Sequence, residues 1–205
     1  MTLLFCGLGK GRRLSKVMKG HNNIHAFEAN AEAIARVRKR FKRVRFHNIA
    51  LGEKKGRVPF YVYSRNDSSS CGKISDKFIE HWKGFKGETL SVERMVDVEC
   101  VNLYEWCQEN GIDHVDYLIT DLQGLDLTVL RTMEPMLRTG GIRKVECETE
   151  ADDMIPSSYP DLPPCKFSDF KQFFAELPYR QTTSFTESWS WRDGVHRDLI
   201  WEFTG

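Results

Sequence analysis

The stretch TLLFCGLGKGRRLSKVMKG, residues 2–20, places three glycines between a short apolar segment and a helical pattern. Residues 2–6 predict a buried strand, and the pattern that follows predicts a helix ending at Gly20. Glycines at such a junction let the backbone turn sharply and approach a ligand closely, and the helix beyond them offers free N–H groups. Gly7, Gly9 and Gly11 therefore predict a ligand-binding turn, although tight strand–helix turns also use glycine for steric reasons.

An acidic residue, Glu28, follows at the end of the next predicted strand, NIHAFEA, 21 residues after Gly7. An acid about 20 residues beyond such glycines commonly accepts hydrogen bonds from the ribose hydroxyls of a nucleotide. A carboxylate only accepts hydrogen bonds, so it can bind both hydroxyls of a diol. Together, Glu28 and the glycines predict a cofactor that contains a nucleoside.

Apolar, strand-like segments alternate with longer helical patterns along the rest of the chain. This alternation predicts an α/β fold: a Rossmann-like, doubly wound, mostly parallel sheet with helices on both faces. With 205 residues and no internal repeat or long linker, we predict one domain over residues 1–205. Residues 64–92 are polar and rich in Ser and Gly, which predicts a long loop with a short helix around KFIEHW.

Composition indicates a globular protein, with 40% hydrophobic and 29% charged residues. No apolar segment approaches the ~18 residues of a membrane span, and the first residues do not have the pattern of a signal peptide. The six cysteines are scattered and form no CxxC pair, which argues against a zinc finger or a disulfide framework. We therefore predict a cytoplasmic protein.

Positive charge is concentrated in the first 60 residues. They contain 15 Lys and Arg against three Glu, a net charge of +12, so with a total of +1 the remaining 145 residues carry −11. The segment RVRKRFKRVRF, Arg36–Phe46, has seven basic residues in eleven. Such a segment is either a solvated helix face or a binding surface for an anionic partner. A nucleic acid bound through Arg36–Arg45 therefore stays open as an alternative.

A second junction, YLITDLQGLDLTVL, residues 117–130, ends an apolar strand on Asp121 and turns into a helix. Asp is common in turns and at helix N-caps, but the carboxyl ends of parallel strands are also where open α/β sheets bind ligands. We favour a functional role for Asp121. Asp126 is assigned to the first turn of the helix, where the helix dipole stabilises a carboxylate.

Taken in order, these segments resemble the FkbM family of S-adenosylmethionine-dependent methyltransferases. IHAFEANAEAIARVRKRF is similar to the family's afEPnp segment, VRFHNIALGEKKGRVPFYV to nxAlgdxxgxvxfyv, and YLITDLQGLDLTVLRTMEPML to lKiDvEGxExxvLxG. The resemblance extends over roughly residues 3–150 and the closing strand. It implies the class I methyltransferase fold and methyl transfer from S-adenosyl-L-methionine, usually to a hydroxyl oxygen of a sugar or a secondary metabolite.

The resemblance also implies roles for single residues. The glycine turn would hold the methionine part of the cofactor and Glu28 the ribose, while Asn48 and Ala50 would border the adenine. Asp121 would face the methyl group or the acceptor, and Glu148 matches the acid that closes the fifth strand.

Three positions depart from the family pattern. Phe5 stands where an Asp is frequent, Thr120 replaces the Lys before the signature Asp, and Gln123 replaces the signature Glu. These changes concern the contacts to the cofactor's amino group and the identity of the catalytic groups. They leave the glycine turn and Glu28 in place.

We predict that Asp121 and Glu148 act on the acceptor side, because a nearby base assists a weakly nucleophilic hydroxyl. No dedicated metal-binding motif is present, so we predict no resident metal; Asp121, Glu146, Glu148 and Glu150 are the oxygen ligands one would use. The loops 64–92 and 151–167 are candidates for acceptor recognition, with candidate stacking residues Trp82, Tyr159, Trp189 and Trp191.

The acceptor itself is left open by the sequence. We expect a sugar or small-molecule hydroxyl, including a glycan chain end, with the chain acting in glycan modification as part of a larger protein. The alternatives are an RNA methyltransferase that uses the basic first half, and a non-catalytic module of the same fold that binds a partner protein.

Overall fold

The computed structural model describes residues 1–87, 89–153, 157–182 and 196–205. Its strands are β1 (Thr2–Cys6), β2 (Asn23–Phe27), β3 (Val44–His47), β4 (Ala50–Leu51), β5 (Gly56–Tyr63), β6 (Val92–Val101), β7 (Tyr117–Thr120), β8 (Lys144–Glu150), β9 (Tyr179–Gln181) and β10 (His196–Phe203). Its helices are α1 (Arg12–Val17), α2 (Ala31–Val37), α3 (Asp76–Lys86), α4 (Leu103–Glu109), α5 (Asp126–Thr132), α6 (Glu134–Arg138) and α7 (Phe167–Ala175).

The main sheet has seven strands in the order β3-β2-β1-β7-β8-β10-β9. Strands β1, β2, β3, β7 and β8 pair in parallel, and β10 runs antiparallel to both of its neighbours. The chain begins in the middle of the sheet, moves outward to β3, and returns to β7 on the other side of β1. This is the predicted doubly wound, mostly parallel sheet, and it places a topological switch point beside β1.

Alternate residues of β1 divide the core into two layers. Leu3 and Phe5 point to a layer with Leu14 of α1 and Ile34 of α2, and Leu4 and Cys6 point to the opposite layer. That opposite layer contains buried residues of α4, α5, α6 and α7. Helices therefore cover both faces of the sheet, as the sequence pattern predicts.

A second sheet of three strands, in the order β4-β6-β5, lies in the segment between β3 and α4. The segment RVRFHNIAL has the pattern of a single strand, but its two strands, β3 and β4, belong to different sheets. No element was predicted for residues 93–100, where β6 pairs with β5. The short helix predicted around KFIEHW is present and is longer than expected: α3 extends from Asp76 to Lys86 and is capped by the Ser75 side chain.

The carboxyl ends of β1, β2 and β7 are tied together by backbone hydrogen bonds at Gly7. The Gly7 N–H donates to the Phe27 carbonyl at 3.0 Å, and the Asp121 N–H donates to the Cys6 carbonyl at 2.9 Å. A Cβ atom at Gly7 would lie 1.8 Å from the Asp121 carbonyl oxygen, and Gly7 has φ +90°. Only glycine therefore permits this approach of β1 to β7. Among the described helices, none is long and apolar enough to cross a membrane.

We predict that Gly7→Ala destabilises the fold more than Gly9→Ala. Both residues have positive φ, and a left-handed conformation costs an alanine ~1–2 kcal/mol. Only Gly7 adds a steric overlap, since nothing lies within 4 Å of a Cβ at Gly9; overpacking of this kind costs a further ~1–3 kcal/mol. Urea unfolding of the two variants measures the difference. Equal free energies of unfolding would show that conformation, and not the contact with Asp121, requires Gly7.

Candidate active site

A cleft opens at the carboxyl ends of β1, β2 and β7, and the small sheet contributes to its lining. Five of the residues singled out in the sequence line it: Gly7, Gly9, Glu28, Ala50 and Asp121. They come from four different segments, and they meet because the strand order places β2 and β7 on either side of β1. Ligands bind open α/β sheets at this kind of position.

The Glu28 carboxylate joins the end of β2 to the glycine turn. Oε2 accepts from the backbone N–H groups of Leu8 at 3.0 Å and Gly9 at 3.3 Å, and Oε1 accepts from the Asn30 N–H at 2.8 Å. Burial raises the pKa of Glu28, and these three N–H donors oppose that rise. A carboxylate has about four acceptor positions, so the three bonds leave one position, on Oε1, for a ligand hydroxyl.

One end of the cleft is apolar. Phe27, Ile49, Leu51 and Phe60 contribute to its lining. Phe60 belongs to β5, so the small sheet forms one wall of the cleft. The next strand of that sheet, β6, is joined to α2 by an ion pair of Arg94 with Glu32, at 2.9 Å.

Three of the predicted residues do not line the cleft. Gly11 is the N-cap of α1 with φ +67°, and a Cβ there would lie 3.1 Å from the Val37 side chain, so it packs against α2. The Asn48 amide donates to the carbonyls of Glu28 and Ala29, which fixes the backbone after β2. Glu148 is connected to the cleft only through Gln123.

Residues of the loop after β5 complete the cleft and were not singled out in the sequence. Asp67, Ser69 and Cys71 line it, and Asp67 forms an ion pair with Lys10 in the glycine turn at 3.1 Å. The polar composition of this loop is evident in the sequence, but no spacing of residues singles out these three positions. Their place in the cleft follows from the packing of the small sheet on the main one.

A pair of carboxylates stands at the ends of β7 and β8. The Gln123 side-chain nitrogen donates to Asp121 Oδ1 and to Glu148 Oε2, each at 2.8 Å. Burial raises the pKa of Asp121, with the Gln123 hydrogen bond and the Arg13 charge opposing the rise. Burial also raises the pKa of Glu148, and the charges of Asp121, Asp126 and Asp198 add to that rise. Two carboxyl groups on the same amide nitrogen do not both ionise readily, so the pair favours keeping one proton.

Arg13 of α1 provides a cation on this side of the sheet. Its guanidinium forms ion pairs with Glu146 and, at 3.2 Å, with Asp198. Tyr117 donates its hydroxyl to the same Glu146. This side of the sheet is thus rich in carboxylates, and the Arg13 guanidinium is already paired with two of them.

Asp126 begins α5, as predicted, but it is fully buried and not on the surface. Its carboxylate accepts from the Leu122 N–H, at 3.1 Å and 3.3 Å to its two oxygens. Burial, followed by the charge of Asp121, raises the pKa of Asp126 to about 7. The residue holds the turn that presents Asp121, so its role lies in the shape of the site.

The predicted stacking residues occupy different environments. Tyr159 is buried and donates to Gln123 Oε1 at 3.0 Å, and Trp82 of α3 lies under the Arg65 guanidinium, 5.0 Å from its ring centre. Trp189 and Trp191 lie outside the described residues. Within the part of the chain that the structure describes, no group of three or more His, Cys, Asp and Glu side chains is arranged to hold a metal ion.

Comparison with known proteins connects this arrangement to methyl transfer. The profile of the methyltransferase FkbM domain matches residues 6–177. The chain is 23% identical over 136 residues to the 2-O-methyltransferase NoeI of Sinorhizobium fredii (strain NBRC 101917 / NGR234), an alignment that covers 61% of this chain and 53% of NoeI.

Two solved structures resemble the chain to different degrees, and the first shares the fold. The crystal structure of methyltransferase FkbM from Methylobacillus flagellatus KT superposes with a TM-score of 0.53 at 12% identity, over 98% of this chain and 43% of that one. The CurJ carbon methyltransferase gives a TM-score of 0.49 at 8% identity, over 100% of this chain and 49% of that one. The chain thus spans about half the length of these relatives.

We predict that the buried Asp126 makes stability depend on pH. The folded protein keeps the Asp126 proton up to pH about 7, whereas the unfolded chain releases it near pH 4. The folded state therefore binds more protons in this window, and stability falls as the pH rises through it. Compared with Asp126→Asn, the wild type should lose on the order of 4 kcal/mol between pH 4 and 8. Urea unfolding across this range measures the loss, with the exposed Asp113→Asn as control; parallel curves would contradict the prediction.

Proposed function

The chain belongs to the FkbM methyltransferase family, and on that premise we propose that it transfers a methyl group from S-adenosylmethionine to a hydroxyl oxygen of a sugar or glycan. The observation that carries the proposal is the position of Asp121. Its side chain lies in the same cleft as the glycine turn and Glu28, and beside Glu148. One cleft thus combines groups suited to a nucleoside cofactor with a carboxylate suited to a hydroxyl acceptor.

The residues present fit S-adenosylmethionine. The apolar end at Phe27, Ile49 and Phe60 suits an adenine ring, and the remaining acceptor position of Glu28 suits a ribose hydroxyl. Gly7 and Gly9 leave the turn open to the methionine part. The carboxylates of the cleft suit the cofactor's positive sulfonium and amino groups, because opposite charges attract strongly in a partly buried site.

The chain's own contribution to the reaction is to position the acceptor and to take its proton. When bound, S-adenosylmethionine supplies an electrophilic methyl group, whose bond to sulfur breaks as the bond to the acceptor oxygen forms. Asp121 Oδ1 is held by Gln123, which directs Oδ2 to the acceptor hydroxyl and its proton. The raised pKa of Asp121 makes it a stronger base. General base catalysis by a positioned side chain is typically worth ~10²–10⁴-fold in rate.

The charges around Asp121 favour a neutral acceptor with many hydroxyls. Glu146, Glu148 and Asp198 lie on this side of the sheet, and the ion pairs of Arg13 are made with two of them. Carboxylates accept hydrogen bonds from hydroxyl groups and repel phosphates. A sugar ring satisfies these acceptors, whereas an RNA backbone at the same place would be repelled.

RNA remains a second candidate because of the basic segment Arg36–Arg45. All seven of its Lys and Arg residues are exposed. Arg40 also donates to the Lys10 carbonyl, so the basic surface reaches the glycine turn. Phosphate contacts at this surface would give RNA binding that weakens steeply with salt.

We predict that Glu28→Ala weakens S-adenosylmethionine binding by about 1.5–3 kcal/mol, the scale of hydrogen bonds to a charged group. The change removes a ribose acceptor and also releases the Leu8 and Gly9 N–H groups that fix the turn. Isothermal calorimetry measures the affinity, with the exposed Glu105→Ala of α4 as control and thermal melting to verify folding. Wild-type affinity in folded Glu28→Ala would remove Glu28 from the cofactor site.

We predict methyl transfer from labelled cofactor to at least one member of a panel of glycosides, and none to capped or uncapped RNA. Asp121→Asn, which keeps the shape of the side chain but removes its basicity, should lose ~10²–10⁴-fold in kcat on the same acceptor at saturating cofactor. Transfer to RNA with none to any glycoside would replace the sugar proposal by the second candidate. Wild-type rates in Asp121→Asn would assign the base elsewhere.

A further inference from the structure

Gln123 is unusual in its backbone as well as in its side chain. With φ +52° it is the one non-glycine residue of positive φ among the described residues. A left-handed conformation costs a non-glycine residue ~1–2 kcal/mol, and such outliers concentrate at functional sites. Its neighbours fix the strained backbone: the Ser70 hydroxyl donates to the Gln123 carbonyl at 2.7 Å.

The side-chain amide of Gln123 has a single workable orientation. Its nitrogen lies 2.8 Å from both Asp121 Oδ1 and Glu148 Oε2, and its Oε1 accepts from the Tyr159 hydroxyl. The reverse orientation would place Oε1 against Asp121, which has no proton to donate when it is ionised, and would lose the bond from Tyr159 to Oε1. Tyr159 is itself fixed, because it is buried and its ring packs against Gly124. A Cβ atom at Gly124 would lie 2.9 Å from that ring.

An amide suits the position between two carboxylates because it carries two N–H bonds and no charge. One N–H serves Asp121 and the other serves Glu148, both at 2.8 Å. The Glu of the family signature, described above, would place a third carboxylate at the same point. Other charges face the pair from α1 (Arg13), α5 (Asp126) and β10 (His196 and Asp198).

We propose that Gln123 is a positioning residue that holds Asp121 and Glu148 side by side through its two N–H groups, so that the pair keeps one proton and Asp121, the member that lines the cleft, stays ionised. The inference rests on the proposed function only in that Asp121 receives the acceptor's proton. A base must be ionised to accept a proton, and a neighbouring carboxyl group that is neutral does not compete for it. Gln123 acts through these two carboxyl groups and is not itself the base.

The titration of the two carboxyl groups tests the proposal without cofactor or acceptor. Carbon-13 NMR of proteins labelled at the Asp and Glu carboxyls follows each group with pH, with Asp121→Asn and Glu148→Gln used for assignment. In the wild type we expect two steps separated by more than one pH unit, the lower one on Asp121. In Gln123→Glu, the added carboxyl should raise the upper step by about one pH unit or more, because like charges in a partly buried site oppose ionisation.

Gln108→Glu, at an exposed position of α4, adds the same charge away from the site and should leave both steps unchanged. Gln123→Met, with a neutral side chain of similar size, removes the donor and should also raise the pKa of Asp121. This variant replaces Gln123→Glu in the test if Gln123→Glu does not fold. Wild-type titration curves in both Gln123 variants would overturn the proposal.

Kinetics separates this inference from the proposed function. On an acceptor found in the panel, Gln123→Glu should shift the acid limb of the kcat profile, measured at saturating cofactor, to higher pH. If the wild-type protein does not bind S-adenosylmethionine, the proposed function is wrong, whereas the titration result remains valid. An active wild type with an unshifted profile in Gln123→Glu would defeat the positioning role alone.

Discussion

The absence of a side chain at Gly7 allows the ends of β1 and β7 to meet, and the rest of the site depends on this contact. A Cβ atom at Gly7 would lie only 1.8 Å from the carbonyl oxygen of Asp121, the residue that follows β7. The same glycine bonds to the end of β2 through Phe27. Glu28 and Asp121, which are far apart in sequence, therefore line one cleft. The glycine turn is as much a steric requirement of the sheet as a device for ligand binding.

The cleft concentrates carboxyl groups that the folded protein must partly neutralise. Burial raises the pKa values of Glu28, Asp121, Asp126 and Glu148, which means that each resists ionisation in the folded state. Backbone N–H groups stabilise Glu28 and Asp126, while Gln123 and Arg13 stabilise the charge on Asp121. Gln123 and Arg13 act on Glu148 as well, so Asp121 and Glu148 differ mainly in that only Asp121 lines the cleft. Like charges at neighbouring positions oppose each other, which favours one ionised and one neutral carboxyl, an arrangement suited to accepting a proton from a hydroxyl.

The sequence was sufficient where a local rule determines the structure. The strand–glycine–helix junction and the alternation of strands and helices follow from periodicity and turn chemistry, and the structure has both. Strand ends and spacing pointed to Gly7, Gly9, Glu28 and Asp121, and the family resemblance added Ala50; all five line the cleft. The Gly11 and Asn48 positions show the limit of that reasoning, since residues next to a site in sequence can point away from it.

The remaining features arise from tertiary packing. The alternating pattern of VERMVDVECV fits a strand, but its partner β5 and the wall that Phe60 forms in the cleft depend on how the small sheet folds back. Burial of Asp126 depends on the elements that cover it, and its place in the first turn of α5 does not reveal this burial. Gln123 looked like a lost signature residue in the sequence. Its significance appears only when Glu148, 25 positions away, is found on the same amide.

The charge asymmetry of the chain becomes a spatial one through the winding of the sheet. The first 60 residues, with their net charge of +12, form β1 to β4, the start of β5, α1 and α2, and the basic segment Arg36–Arg45 lies on the β3 side of the switch point. The acidic remainder supplies β7, β8 and β10 on the other side. Three strand spacings of ~4.8 Å separate β3 from β7, or about 14 Å. A phosphate held at Arg36–Arg45 would thus lie away from Asp121, and a polyanion that reached Asp121 would have to enter the acidic side. The net charge of +1 hides this division, and the division favours a neutral, hydroxyl-rich group beside Asp121.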